Sequence, residues 1–289
     1  MAVTRTLPNR TRRMVGGWCF LDHFGPEDVA GGPGMRVAPH PHTGLQTVTW
    51  LVDGEVLHRD SLGSRQLVRP GQLNVMTAGH GIAHSEESPP DRSPVLHGVQ
   101  LWAAMPDPAR HGPSSFAHHP DLPVLTDGDV RAEGEVRVTV MVGEVAGVAS
   151  PARTFTPLVG AELQLAPGAA ARLPLRPDFE YAVLALSGRV EVEGVAVDPG
   201  PLLYLGSHRH DLALRAAVGA RALLLGGEPF GEQIVMWWNF VGRNHDEIVR
   251  SREDWTAGRR FGTVHGYDGP PLPAPPLPAT RLRPRGRER

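Results

Sequence analysis

The sequence has a single cysteine, Cys19, and no long uninterrupted apolar stretch. One cysteine cannot form a disulfide within the chain, which suits a reducing, cytoplasmic environment. Cys19 lies between Trp18 and Phe20, so we expect a buried apolar side chain rather than a reactive thiol. No segment approaches the roughly 20 apolar residues of a membrane span, and no apolar signal core follows the arginines of residues 1–13. The net charge of −2 gives no bulk reason to expect nucleic-acid or membrane binding.

What the sequence does contain is a succession of strand patterns. Residues 47–52 are β-branched and aromatic, Asp53-Gly54 predicts a tight hairpin turn, and the strand pattern resumes at residues 55–58. The order strand, X-Gly turn, strand, Pro-Gly turn, strand continues to Met76, and it recurs between residues 181 and 205. This recurrence predicts an internal duplication, with two antiparallel β-domains joined between Leu125 and Val136.

The last part of the chain departs from this rhythm. Asn244, followed by acidic residues, predicts the N-terminus of a short helix that runs to Trp255. The proline-rich and then arginine-rich segment from Asp268 predicts a disordered, solvated tail, which we favour over a nucleic-acid-binding one. The expected organisation is an N-terminal domain over residues 1–130, a C-terminal domain over 131–267 and a tail over 268–289.

Two pairs of candidate metal ligands stand at the ends of the segment from Pro39 to Glu86. The first pair is His40 and His42, and the second is His84 and Glu86. Alternate residues of a strand point to the same face, so each pair can aim at one point. Three imidazoles and one carboxylate suit a divalent first-row transition metal. The spacing alone is also compatible with two other interpretations: histidines that face the solvent, or a hydrogen-bonded pair in the core.

Other histidines have simpler interpretations. We expect His58 to form a structural hydrogen bond with Asp60, and His80 to serve as loop filler or to line the mouth of a pocket. His97 and Trp102 fit either the wall of a pocket or the core, and we favour the core. We expect His118-His119 in a solvated loop over residues 106–123. A second His-X-His, His208-Arg209-His210, could form a site with Asp178 and Glu180, but the position matching the first pair holds no histidine. We therefore expect no metal in the second domain.

Several motifs together resemble the pirin family of bicupins. They are Gly17-Trp18-Cys19-Phe20-Leu21-Asp22-His23-Phe24, Pro39-His40-Pro41-His42, His58-Arg59-Asp60-Ser61, Met76-Thr77-Ala78-Gly79, His84-Ser85-Glu86, Gly226-Gly227-Glu228-Pro229 and Trp237-Trp238-Asn239-Phe240. The resemblance implies an all-β fold of two tandem cupin (double-stranded β-helix, or jelly-roll) barrels. It also implies one metal in the N-terminal domain, with His40, His42, His84 and Glu86 as its ligands. Many cupins have a glutamate where this chain has Gln46, but that glutamate is not a pirin ligand.

The resemblance also sets expectations for chemistry. Several pirins are similar to quercetin 2,3-dioxygenases, which implies Fe(II), a small flavonol-like substrate, O₂ and Glu86 as the catalytic base. Zinc, nickel, copper and manganese stay open, because affinity order alone does not select the metal. Pirins also resemble metal-dependent regulators that bind a transcription factor or a metabolic enzyme, so a non-catalytic binding module is the alternative. A structural bicupin with an empty site is a third interpretation. We expect a monomer.

Overall fold

A computed structural model describes residues 2–125 and 130–288. Within these residues the structure has 24 strands and one helix. The first strands are β1 (Val3–Leu7), β2 (Trp18–Asp28), β3 (Arg36–His42), β4 (Leu45–Asp53), β5 (Val56–Asp60), β6 (Arg65–Val68), β7 (Leu73–Thr77), β8 (Ile82–Glu87), β9 (Val95–Ala104), β10 (Ser115–His119), β11 (Val124–Leu125) and β12 (Arg131–Glu133). The others are β13 (Val136–Val145), β14 (Val148–Ala149), β15 (Leu158–Leu165), β16 (Ala170–Pro174), β17 (Glu180–Ser187), β18 (Val190–Val192), β19 (Val195–Val197), β20 (Leu202–Gly206), β21 (Asp211–Arg215), β22 (Ala220–Gly227), β23 (Val235–Trp237) and β24 (Phe240–Gly242), followed by α1 (His245–Thr256).

The chain folds into two compact units. Unit 1 contains Phe24–His118 and the chain from Gly231 onward, whereas unit 2 contains Thr4–His23 and His119–Phe230. This division differs from the predicted boundaries after residues 130 and 267, because each unit combines segments that are distant in sequence. Residues 126–129 of the predicted junction lie outside the described part of the chain.

Unit 1 holds two antiparallel layers. One is a four-stranded sheet in the order β3-β8-β5-β6, and the other places β9, β4, β7 and β10 side by side. Side chains of the two layers meet in between, as Thr49 of β4 does with Glu86 of β8. The alternation along each strand therefore directs one set of residues into the space between the layers.

Unit 2 repeats this plan. One sheet has the order β11-β13-β15-β22-β17-β20 and the other has the order β12-β16-β21-β18-β19. A cluster of buried valine, leucine and alanine side chains with Phe179 and Tyr181 fills the space between them. The predicted duplication and the all-β fold of two cupin barrels are confirmed.

The predicted hairpin at Asp53-Gly54 is wrong. β4 pairs with β7 and β9, whereas β5 pairs with β6 and β8, so this turn carries the chain from one layer to the other. Gly54 has φ +84°, and a Cβ there would lie 2.5 Å from the Val95 carbonyl oxygen, so the crossing requires glycine. At Gly188 of unit 2 (φ +65°) the chain crosses between sheets in the same way, and a Cβ there would lie 2.2 Å from the Gly219 carbonyl oxygen.

The C-terminal helix begins where it was predicted to begin, whereas the segment after it differs from the prediction. The Asn244 side chain caps α1 by accepting a hydrogen bond from the Glu247 amide. The chain from Asp268, predicted to be disordered, is fastened to the rest of unit 1. The Leu272 amide donates to the Pro39 carbonyl at 2.8 Å, and Leu277 packs on the cluster around α1. Prolines lack amide donors but keep their carbonyls, so a proline-rich segment can still be fastened. No helix of the described residues has the length and apolar character needed to cross a bilayer.

Candidate metal centre

Three neighbouring strands bring the candidate ligands together. His40 of β3 lies opposite His84 of β8, and His58 of β5 lies opposite Glu86 of β8. β3 is an edge strand, which accommodates the prolines on either side of His40 because an edge strand need not donate every amide to a neighbour. The backbone register thus places both predicted pairs in one patch of the sheet.

Glycine fixes the loop that leads into β8. Gly79 has φ +52°, and a Cβ there would lie 2.3 Å from the Gly112 carbonyl oxygen. Any side chain at this position would push the two loop segments apart. This close approach therefore fixes the loop from which the chain enters β8, the strand that carries His84 and Glu86.

The ligand atoms form two overlapping groups, each fully buried. His40, His42 and His84 make one group, and His58, His84 and Glu86 make the other, with the ligand atoms of each within 4.8 Å of one another. His84 belongs to both groups. The predicted set of four is thus divided between the groups, and the sequence interpretation missed the proximity of His58.

Hydrogen bonds fix the tautomers of His40 and His42. The Nδ1 atom of His40 lies 2.9 Å from the Ala38 carbonyl oxygen, and that of His42 lies 3.0 Å from the Asn239 carbonyl oxygen. A carbonyl only accepts, so each Nδ1 carries the proton and each Nε2 has a free lone pair. This arrangement is typical of metal-binding imidazoles, whose second nitrogen is held by a carbonyl or carboxylate.

A second chain of contacts fixes His84. The Nε2 of His58 lies 3.2 Å from Asp60 Oδ2, so it donates to that carboxylate, and the His58 Nδ1 is left as an acceptor. It lies 3.3 Å from the His84 Nδ1, which accordingly donates to it. The Nε2 of His84 then carries a lone pair and faces the Nε2 of His42 at 3.0 Å. His58 makes the hydrogen bond to Asp60 that the sequence predicted.

Two facing lone pairs repel unless a cation lies against both. Two imidazole nitrogens each about 2.1 Å from one ion, and at right angles, would be separated by about 3.0 Å. The distance between His42 and His84 has this value. The two imidazoles therefore fit a single metal ion bound through their Nε2 atoms.

Burial sets the protonation of the cluster. Desolvation lowers the pKa of His40 to about 4 and holds those of His42 and His84 well below the ordinary value. These imidazoles are neutral at neutral pH, as metal ligation requires. Desolvation also raises the pKa of Glu86, although a hydrogen bond from Thr49 and the nearby His58 oppose the shift.

The hydrogen-bond partner of Glu86 comes from the opposite layer. Thr49 Oγ1 lies 3.2 Å from Glu86 Oε1 and 2.9 Å from Gln100 Oε1. A hydroxyl has one proton, so Thr49 donates to one of these oxygens at a time. Glu86 can thus release its Thr49 hydrogen bond without leaving the hydroxyl unsatisfied.

Aromatic rings border the imidazoles on two sides. Trp102 meets His42 edge to face with centroids 5.1 Å apart, and Phe116 stacks on His58 at 4.4 Å and 16°. Trp102 is buried, as predicted, and is also a wall of the site. Phe116 and His118 lie on β10, inside the segment predicted to be a solvated loop, and that prediction is wrong at this point. His118 Nδ1 bonds Asn74 Oδ1 at 2.7 Å.

The remaining candidates lie elsewhere. His80 is exposed and contacts the Gly112 carbonyl, and His97 is buried as expected. In unit 2, Asp178 pairs with Arg176, while Glu180 accepts hydrogen bonds from the Gly16 amide and the Tyr204 hydroxyl. His208 and His210 belong to neither ligand group of the described residues.

These protonation states predict how the metal-free protein responds to acid. In the unfolded state His40 is protonated below about pH 6.5, whereas in the folded state burial lowers its pKa to about 4. The unfolded state thus binds more protons in this window, and the free energy of unfolding falls as the pH falls, by about 3 kcal/mol for His40 alone.

Glu86 acts in the opposite direction, since its raised pKa contributes stability at low pH that is lost as pH rises through the folded value. We expect the three histidines to outweigh it. Urea unfolding of metal-free protein between pH 7 and pH 4 measures the sum. An equal free energy of unfolding at pH 7 and pH 4 would contradict the conclusion that the buried imidazoles are neutral.

Comparison with known proteins places this site in a family. The Pirin family profile matches residues 1–103, and the profile of the Pirin C-terminal cupin domain matches residues 160–262. The chain belongs to the pirin family. A Pseudomonas aeruginosa relative with the provisional name quercetin 2,3-dioxygenase is 50% identical over 279 residues, which cover 96% of this chain and 86% of the relative.

Two further proteins are similar along most of the chain. A pirin-like protein of Caulobacter vibrioides is 37% identical over 266 residues, covering 89% of this chain and 88% of the relative. The crystal structure of a quercetin 2,3-dioxygenase from Acinetobacter baumannii superposes with a TM-score of 0.91 at 43% identity, covering 98% of this chain and 92% of that one. The pirin resemblance seen in the sequence motifs is thus confirmed.

Proposed function

We propose that this pirin is a dioxygenase that uses one Fe(II) ion and O₂ to open the ring of a flavonol-like substrate of the quercetin type. The observation that carries the proposal is the buried group of His40, His42 and His84, whose Nε2 lone pairs are free, together with the Glu86 carboxylate, which is grouped with His84. The names of two similar proteins support the substrate class: one of Pseudomonas aeruginosa with the provisional name quercetin 2,3-dioxygenase, and a quercetin 2,3-dioxygenase of Acinetobacter baumannii.

The proposed ligands are His40, His42, His84 and Glu86. Bound iron would supply the one-electron chemistry that lets singlet substrate and triplet O₂ react. With four protein ligands, the ion would keep positions open for the substrate and O₂. His58 and Asp60 hold His84 in the tautomer that presents Nε2, which is a positioning role.

Glu86 is the proposed base. Burial raises the pKa of its carboxyl, which makes the carboxylate a stronger proton acceptor than an exposed glutamate. It takes the proton of the substrate hydroxyl while Thr49 turns its own hydrogen bond toward Gln100. The buried Trp102 and the half-buried Phe116 border the imidazoles and would supply aromatic surface for a flat ring.

O₂ is the only co-substrate that the overall reaction requires. Two carbon–carbon bonds of the flavonol ring break, the carbon between them leaves as carbon monoxide, and both oxygen atoms of O₂ remain in the ester product. No further reductant is needed, since O₂ is the oxidant and the substrate supplies all its electrons.

The test is a stoichiometry on the full chain. Protein loaded with Fe(II) without air is mixed with quercetin and O₂, and O₂ uptake, quercetin loss and carbon monoxide release are measured together. We expect equal amounts of each, with His80→Ala unchanged, because His80 is exposed and outside both ligand groups. Iron that binds at one equivalent without any turnover would contradict the oxygenase and favour the non-catalytic regulator.

A further inference from the structure

A row of polar side chains crosses the layer that faces the metal cluster. Gln100 of β9 and Asn74 of β7 both lie directly opposite Thr49 of β4. Directly opposite residues of antiparallel strands point to the same face. Thr49 reaches Glu86 across the space between the layers, so Asn74 and Gln100 also point toward the cluster.

The amide of Asn74 is held from one side only. It is 3% exposed, and its Oδ1 accepts a hydrogen bond from His118 Nδ1 at 2.7 Å. Its Nδ2 is buried and has no hydrogen-bond partner among the described residues. A buried donor without a partner costs on the order of 1–3 kcal/mol, so such groups need an explanation.

An apolar row runs beside the polar one. Trp102 and Met76 lie opposite Thr47, two residues from Thr49, and Trp102 contacts His42. On β10, Phe116 stands two residues before His118 and stacks on His58. The face thus offers aromatic surface beside the imidazoles and an unused amide donor opposite Thr49, which itself contacts Glu86.

We propose that Asn74 is a specificity-determining residue whose Nδ2 donates a hydrogen bond to a substrate oxygen other than those bound by the metal. His118 is its positioning residue, because it occupies Oδ1 and leaves Nδ2 directed at the ligand. The ligand class is a flat aromatic compound with hydroxyl groups on more than one ring. This inference takes its substrate class from the proposed function, but it concerns binding and does not require turnover.

The test measures binding to protein loaded with zinc, which supports no oxygenation. The probes are quercetin and 3-hydroxyflavone, which has the same metal-binding oxygens but lacks the other hydroxyls. Asn74→Leu is expected to weaken quercetin binding about tenfold and to change 3-hydroxyflavone binding less than about twofold. His118→Phe, which keeps a ring but removes the donor, should weaken quercetin selectively as well.

Two variants guard against misfolding. Asn74→Ala removes the amide without any steric demand and should give the same selectivity. Thr77→Val is the matched control on β7, because Thr77 is buried and bonds Gln46 on the opposite face of the strand. Zinc content and far-UV circular dichroism confirm that each variant is folded.

The outcomes separate the inference from the proposed function. Equal losses for both probes, or no loss for either, would overturn the role of Asn74. Zinc protein that binds neither probe, or binds both equally, would overturn it too. Selective loss in zinc protein whose iron form shows no turnover would support Asn74 and contradict only the oxygenase.

Discussion

Replacing His84 with alanine is expected to remove the metal. His84 belongs to both ligand groups and its Nε2 lies 3.0 Å from that of His42. Changes to outer-shell partners of a metal already cost about 10–100-fold in affinity, so loss of a central ligand should exceed this. We expect iron content below about one tenth of wild type after gel filtration, and O₂ uptake with quercetin lowered by more than about 100-fold.

Two companion variants decide between the ligand groups. With the proposed set, His40→Ala also loses the metal, whereas His58→Gln keeps one equivalent with about 10–100-fold weaker affinity, because His58 only positions His84. The opposite pattern would make His58, His84 and Glu86 the ligands. His80→Ala, which changes an exposed histidine outside both groups, is the control and should bind iron as wild type does.

A fully retained iron content in His84→Ala would contradict the centre altogether. Circular dichroism checks that the variant is folded, and inductively coupled plasma analysis gives the metal per chain. Because the measurement is metal content, the result does not depend on the identity of the substrate.

The sequence could predict those features of the site that depend on residues close together in the chain. The i, i+2 spacing of His40 with His42, and of His84 with Glu86, is a property of a single strand, so it was visible. The pairing of His58 with Asp60 was visible for the same reason. Thr49, Asn74 and Phe116 act from the facing layer, and their approach depends on how two sheets stack. No local pattern carries that information.

The fold shows the same division. Strand positions and the capped helix were predicted, since they rest on periodicity and on a cap within four residues. The turn at Gly54 was assigned to a hairpin, because a two-residue turn looks alike whether the next strand pairs beside the first or crosses to another sheet. The tail was assigned to disorder from its composition, yet the Trp255 indole and the Pro39 carbonyl hold Leu272.

The N-terminal segment supplies the second large prediction. Trp18 is fully buried, and its indole N–H lies within hydrogen-bond distance of the Val159 carbonyl (3.0 Å) and the Gly226 carbonyl (3.2 Å). Val159 and Gly226 sit opposite each other on β15 and β22, so one side chain bridges two central strands of unit 2. The sequence had placed this segment in the other domain.

Trp18→Ala is therefore expected to destabilise unit 2 rather than the ligand-bearing strands. Loss of a buried tryptophan leaves a cavity and two carbonyls without their donor, for an expected cost of about 3–5 kcal/mol in the free energy of unfolding. Trp18→Phe keeps most of the ring and loses the N–H, so its cost should be about 1–3 kcal/mol. Urea unfolding followed by far-UV circular dichroism measures both.

A control variant and the location of the lost protection test whether the effect is specific to Trp18. Val218→Ala changes a residue of unit 2 that is 60% exposed and should alter stability by less than about 0.5 kcal/mol. Hydrogen exchange should show the loss of protection in Trp18→Ala at amides of β15 and β22. A cost below about 1 kcal/mol, or exchange that accelerates only at β3 and β8, would place the anchor of the N-terminal segment elsewhere.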